Sequence, residues 1–186
     1  MPLTPDEIAA LRVYTSDDYR EMNAVFRDFR VDQPTANWGK YSTIAKLAIS
    51  GLGKLPKARG VISYRGDRDI TVGGHEGVLR QGATFRLPNF YSTTKDYKRT
   101  FAGPVGYVFY NDRYGRLINQ ISTTPEDEVL LPPGATYKIV AQYDRQDENH
   151  PWASPDGKGL SVAAKELAEK GQYPQSRRRI LEFVEV

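Results

Sequence analysis

At Gly60 the spacing of apolar residues changes from the 3.6-residue period of a helix to the two-residue period of a strand. Before that point, Thr4-Pro5-Asp6-Glu7 has the form of a helix start, with Thr4 as N-cap, Pro5 in the first turn and Glu7 three residues on. This predicts a short helix through about Leu11. Ser16 reads as a second N-cap, and Tyr19, Met22, Phe26 and Phe29 recur at helical spacing over 17–29. Ser42 opens a third helix, with Ile44, Leu47 and Ala48 inward and Gly51 and Gly53 as stop signals. Beyond Gly60, short apolar runs lie at 61–65, 83–87, 90–94, 105–110, 117–122, 126–131, 137–143 and 179–186, divided by Gly, Pro and Asn. Residues 95–104 read as a mobile loop with anion-binding potential, and a further helix is expected over 160–170, ended by Gly171. Helices first and strands afterwards predict an α+β fold, a helical layer over 1–55 packed on a mainly antiparallel sheet or sandwich over 56–186.

The totals remove several classes of chemistry. A chain of 186 residues suits one domain and can bury a real core. Its 26 basic and 23 acidic residues leave a net charge of +3, too slight to argue for nucleic acid. The absence of Cys excludes disulfides, thiolate nucleophiles and cysteine metal sites. His75 and His150 have no second His at ligand spacing, so no metal is expected. There is no G-x-S-x-G elbow, no G-x-G-x-x-G after a strand, and Gly51-Leu52-Gly53-Lys54 lacks the spacing of a phosphate-binding loop. No apolar run approaches the ~20 residues of a membrane span. The first six residues lack the basic and apolar regions of a signal peptide, which predicts action in the cytosol, reached if need be through a carrier.

One acidic triplet, Glu126-Asp127-Glu128, stands directly ahead of the apolar run Val129-Leu130-Leu131. If the chain is extended there, Glu126 and Glu128 project to the same face and Asp127 to the other. Carboxylates held side by side repel, a cost accepted most readily where chemistry uses it. A charged turn that blunts a sheet edge explains the same residues.

Two further elements bear on that choice: Ser63-Tyr64-Arg65-Gly66 at a strand end, and Phe90-Tyr91-Ser92-Thr93-Thr94 in another strand. With Glu126-Asp127-Glu128, their order and spacing make the chain resemble the arginine-specific mono-ADP-ribosyltransferases of the R-S-E class, which include bacterial toxins and vertebrate ecto-enzymes. Tyr14-Thr15-Ser16-Asp17-Asp18-Tyr19 is similar to the beginning of that family's domain, while 145–178 is unmatched. The resemblance implies a two-sheet β core, the whole chain as one catalytic domain, and NAD as co-substrate. By resemblance, Glu128 binds the ribose and stabilises the oxocarbenium ion, while Glu126 receives the target arginine. Ser92 would orient Glu128, with Thr93 and Thr94 fixing the strand beneath. Arg65 would hold NAD phosphates and the Gly66 main chain the nicotinamide amide. Arg99 and Phe101 would lie in the loop that closes over the dinucleotide.

The chemistry suits these residue types. The nicotinamide of NAD leaves without a general acid, so a site needs only negative charge beside the developing cation and a grip on the dinucleotide. A guanidinium acceptor with a pKa above ~12 gains from a carboxylate partner. Two departures stand out: 121–125 lacks the aromatic that many toxins of the class carry, and Ser-Thr-Thr replaces the commoner Ser-Thr-Ser. The resemblance implies a toxin or effector, a target protein presenting an arginine, and a cognate immunity protein in the producer. Alternatives on the same fold are an NAD glycohydrolase and a nucleic-acid-modifying enzyme. Only Arg177-Arg178-Arg179 supports the latter, and that run reads first as the solvated start of the last strand. A non-enzymatic binding module would leave Arg65, Ser92 and Glu128 without a purpose.

Overall fold

A computed structural model describes residues 2–16, 18–28, 38–67, 79–122, 127–146, 151–174 and 176–186. The described residues form three helices, a run of strands, one further helix and a last strand. Helix α1 spans Pro5–Tyr14, and Thr4 closes the capping box expected of it: Glu7 N donates to Thr4 Oγ1 at 3.2 Å and Thr4 N to Glu7 Oε2 at 2.8 Å. Helix α2 covers Tyr19–Asp28 and α3 Trp38–Lys54. The third helix therefore begins four residues ahead of Ser42 and runs through both glycines read as its stop. Gly51 is in the helix because α1 crosses there: a Cβ would meet Glu7 Cβ at 3.0 Å and Leu11 Cδ1 at 3.1 Å. Among the described residues, no helix is long and apolar enough to cross a membrane.

Glu7 ties the two helices together. Its carboxylate accepts from Ser50 Oγ at 2.7 Å and Lys54 Nζ at 2.8 Å. The Lys54 bond, the Thr4 backbone and Ser50 hold its pKa down from 4.5 to about 2. A depressed carboxylate pKa contributes stability that is present above the ordinary 4.5 and lost as pH falls toward 2. Glu7→Gln should therefore lower the melting temperature at neutral pH and reduce its fall between pH 4.5 and 2, followed by circular dichroism. An acid limb identical to that of the wild type would remove Glu7 from the explanation.

The strands are β1 (Ile62–Asp67), β2 (Thr84–Arg86), β3 (Tyr91–Thr94), β4 (Val105–Tyr110), β5 (Arg116–Leu117), β6 (Glu128–Leu131), β7 (Thr136–Asp144) and β8 (Arg179–Glu185). They form one hydrogen-bonded ladder in the order β2-β7-β8-β4-β1-β3-β6-β5. Every pairing is antiparallel except β4 with β8. The join between β1 and β3 rests on the single pair Tyr64–Thr94, whereas β1 and β4 pair along their whole length. The ladder folds there into two halves, which is how the expected two-sheet core is realised. Tyr91, Val129 and Leu131 of one half pack on Tyr107, Phe109, Tyr137 and Phe183 of the other, with the Phe109 and Phe183 rings stacked at 4.7 Å.

Each half has an outer cover. The three N-terminal helices bury Leu11, Met22, Ala45, Ala48 and Leu52 against Phe90, Leu130, Ile118 and Ile121. On the far side, α4 (Val162–Glu169), Tyr173, Trp152 and Leu160 cover Tyr64, Val108, Tyr143 and Ile180. Residues 151–174, most of the stretch that the resemblance leaves unmatched, thus lid the third core cluster. One expected strand is absent: 117–122 supplies only the short β5 and then a turn, with Ile121 N and Ser122 N both donating to Ile118 O. Ile118 and Ile121 both enter the helical layer, a spacing of three that a turn satisfies and a strand does not.

Candidate active site

The fold in the ladder is where the polar side chains meet. At the start of β6, Glu128 is only 6% exposed, and its Oε1 accepts a short hydrogen bond from the hydroxyl of Ser92 on β3. The pairing of Ser92 with Leu130 and Thr94 with Glu128 puts all four on one face, directed to the helical layer. Arg65, near the end of β1, donates from Nη1 to Ser92 O at 3.0 Å. Its guanidinium lies 4.3 Å from the centroid of the Tyr91 ring, and its Nε is 3.8 Å from Asp67. That Nε is buried and makes no hydrogen bond among the described residues. Arg65, Ser92 and Glu128, far apart in sequence, are therefore linked through Ser92.

The other expected residues divide by position. Thr93 points the opposite way, with Oγ1 donating to Val129 O at 2.6 Å and accepting from the Ser63 hydroxyl at 2.8 Å. Asn111 Nδ2 donates to the same Ser63 oxygen, so Thr93 fixes β3 against β1 from beneath. Thr94 Oγ1 accepts from Asp96 N at 3.2 Å and starts the following loop. Gly66 lies directly under the Phe101 carbonyl. Arg99 is exposed at the end of a 3-10 turn over Tyr97–Arg99 and pairs with Asp96 at 3.9 Å. Phe101 is 68% exposed. Glu126 lies outside the described residues, so its shared face with Glu128 stays a sequence expectation.

Residues 1–152 match the model of the family described as ART, NAD:arginine ADP-ribosyltransferase. The chain belongs to that family. The protein Mav of Mycobacterium avium (strain 104) is 27% identical over 149 residues. The chain spans only 16% of that relative's length, although the match takes in 76% of the chain. Among solved structures, exoenzyme S of Pseudomonas aeruginosa aligns with a TM-score of 0.66 at 16% identity, over 98% of this chain and 74% of that one. The Salmonella SpvB domain gives 0.63 at 17% identity, over 98% and 100%. VahC of Aeromonas hydrophila gives 0.66 at 17% identity over the whole of both chains. At these identities the likeness is one of fold, and it makes the helix-first α+β arrangement that of an ADP-ribosyltransferase domain.

Within this ADP-ribosyltransferase domain several residues near the site were not singled out by sequence. Tyr14, at the end of α1, is close enough to Arg65 and Glu128 to sense both charges, and burial pushes its hydroxyl pKa up. Its ring packs on Phe90 at 4.9 Å, next to the strand that carries Ser92. The only signal for it was the likeness of 14–19 to the family's beginning. Asp127, expected on the face away from Glu126 and Glu128, ion-pairs with Lys95 Nζ at 2.8 Å, and its carbonyl accepts from Lys95 N at 2.9 Å. Both contacts bind the loop after β3 to the acidic strand. That loop, expected to be mobile, is tied again where Tyr97 meets Tyr64 edge-on at 6.2 Å. The arginine run needs the plainest correction. Arg178 is exposed, but Arg177 is 8% exposed and turned inward, with its guanidinium on Gly103 O, Thr100 Oγ1 and Phe101 O.

Proposed function

We propose that residues 1–186 act as one catalytic domain that transfers ADP-ribose from NAD to an arginine side chain of a target protein, releasing nicotinamide. The observation that carries this reading is the bond from Ser92 to Glu128 beside Arg65. It supports a fixed carboxylate next to a cation, as cleavage of an anionic dinucleotide through a cationic transition state requires. The bond from ribose C1′ to nicotinamide nitrogen breaks, and its electron pair neutralises the pyridinium. The positive charge passes to the ribose, where Glu128 stabilises it and holds the ribose hydroxyl. Ser92 keeps Glu128 in place, and Arg65 takes the phosphates, its plane backed by Tyr91. The Gly66 main chain holds the nicotinamide amide, and Arg99 and Phe101 close from the loop above. A guanidinium nitrogen then forms the new bond to C1′ and gives up a proton, with Glu126 as its carboxylate partner.

Arginine as acceptor is further supported by the family's description and by a relative, Vis, solved with the guanidine compound agmatine. An effector role is supported by fold neighbours that include a type III effector of Xanthomonas axonopodis.

The test is to incubate the chain with labelled NAD and agmatine, and separately with cell lysate, with and without nuclease. ADP-ribosyl-agmatine and nuclease-resistant labelled protein are the expected products. Free ADP-ribose alone would make the domain a glycohydrolase, and label on nucleic acid would remove protein arginine as acceptor. Glu126→Gln should reduce transfer to agmatine at least about tenfold while nicotinamide release stays within a few-fold, since a charge-assisted pair to the acceptor is what it removes. Equal loss of both activities would end this division of labour between the two glutamates.

A further inference from the structure

Strands β1 and β4 place Gly66 directly opposite Gly106. Two glycines facing across a ladder leave a slot without side chains, and a third part of the chain occupies it. The aliphatic stem of Arg177 lies there: a Cβ on Gly106 would meet Arg177 Cγ at 3.0 Å, and one on Gly66 would meet Arg177 Nη2 at 2.7 Å. At the head of the slot the guanidinium donates from Nη2 to Thr100 Oγ1 and Phe101 O, each at 2.7 Å, and from Nη1 to Gly103 O. Behind it, Arg178 N and Arg179 N donate to Pro104 O at 2.8 and 3.0 Å. Arg145 Nε donates to Arg177 O at 3.0 Å while stacking on Trp152 at 4.6 Å. The residues that lead into β8 therefore grip residues 100–104 on the face of the sheet that carries the third core cluster.

Burying a guanidinium is costly, and burial depresses the pKa of Arg177. Its named partners are neutral loop oxygens, so the bonds that offset this cost also hold that loop in place. The loop carries Arg99 and Phe101, and its Phe101 carbonyl rests on the glycine next to Arg65.

We propose that Arg177 is a positioning residue for NAD: lying in the Gly66–Gly106 slot, it clips residues 100–103 onto the backbone that follows Arg65 and so fixes one wall of the dinucleotide pocket. This rests on the reading of Arg65 and Gly66 as the NAD anchor. A lysine at 177 keeps the charge but lacks the planar fork that reaches three oxygens at once. Loss of charge-assisted bonds that hold a binding loop falls on ground-state affinity before it falls on the chemical step.

The test compares Arg177→Lys and Arg177→Met with the wild type by nicotinamide-release kinetics, amide hydrogen exchange over 100–103 and thermal melting. Arg177→Lys is expected to raise KM for NAD about tenfold with kcat within about twofold, and to speed exchange at 101–103. Arg177→Met should go further in the same direction. Arg179→Lys, at the Asp144 pair, should lower the melting temperature and leave KM unchanged. Should neither Arg177 variant fold, Thr100→Val removes one loop acceptor, together with the Thr100 hydroxyl's own bond to Tyr97 O. For the inference to stand it must raise KM by a smaller factor, and by one that the loop-only change Tyr97→Ala does not reproduce. Arg65→Ala separates the two levels. If it leaves KM unchanged, the anchor reading itself falls, and with it this inference. If it raises KM while folded Arg177 variants keep the wild-type value, Arg177 is structural only and the inference alone is overturned. A parallel fall of kcat and melting temperature at constant KM would overturn it as well.

Discussion

Glu128→Gln is expected to reduce the rate of nicotinamide release by at least about 10²–10³-fold, the range for removing one preorganised charge or donor from a transition state. Glutamine keeps the size of the side chain and an oxygen able to accept from Ser92, so the strand pairing of β6 with β3 has no reason to change. What disappears, on the proposed reading, is the negative charge that faces the ribose as the nicotinamide bond breaks. Because that charge matters most in the transition state, kcat should fall while KM for NAD moves little. Relief of a buried carboxylate should leave the melting temperature equal to or above that of the wild type. Steady-state nicotinamide release with a folded, NAD-binding variant measures this. A kcat within tenfold of the wild type would mean that Glu128 is not the group that stabilises the cation.

How far the chain could be read in advance depends on whether a feature is local. The capping box of Thr4 and Glu7 is written within four residues, and it forms as expected. Gly51 carries a local signal with two meanings, because a glycine that ends a helix and one that lets a second helix approach look alike in sequence. Ile118 and Ile121 belong to a run too short for period to decide, and their spacing of three gains its meaning only when both are seen to enter the helical layer. The meeting of Arg65, Ser92 and Glu128 was visible through family likeness, since nothing in periodicity brings three distant strand positions to one fold in a ladder. Arg177 was misread for a related reason. Three arginines in a row usually mean a solvated surface, and the slot that takes the first of them is made by two glycines on other strands. Tyr14 and Asp127 are likewise defined by neighbours that only the tertiary structure supplies.

Gly66→Ala should reduce kcat/KM for NAD about a hundredfold or more, although it adds a single methyl group. In this backbone the new Cβ would lie well inside van der Waals contact with the Phe101 carbonyl oxygen, 3.0 Å from the Phe101 carbonyl carbon and 2.7 Å from Arg177 Nη2. The first two are backbone atoms, which cannot yield by changing rotamer. Arg177 cannot swing aside either, because its head is held by three oxygens and its stem by Gly106. Relief has to come from displacement of residues 100–103 away from β1. Overpacking of this kind costs about 1–3 kcal/mol of stability. The larger effect falls on NAD, since a displacement of about 1 Å in a positioning element can cost about a hundredfold in rate. The φ of Gly66 is not positive, so backbone conformation gives alanine no difficulty and the collision alone is tested. Combining Gly66→Ala with Arg177→Lys distinguishes the routes. If the methyl acts by pushing away the loop that Arg177 holds, the two changes should be strongly non-additive in KM for NAD. Additive effects would mean that alanine disturbs the site directly, through the backbone beside Arg65.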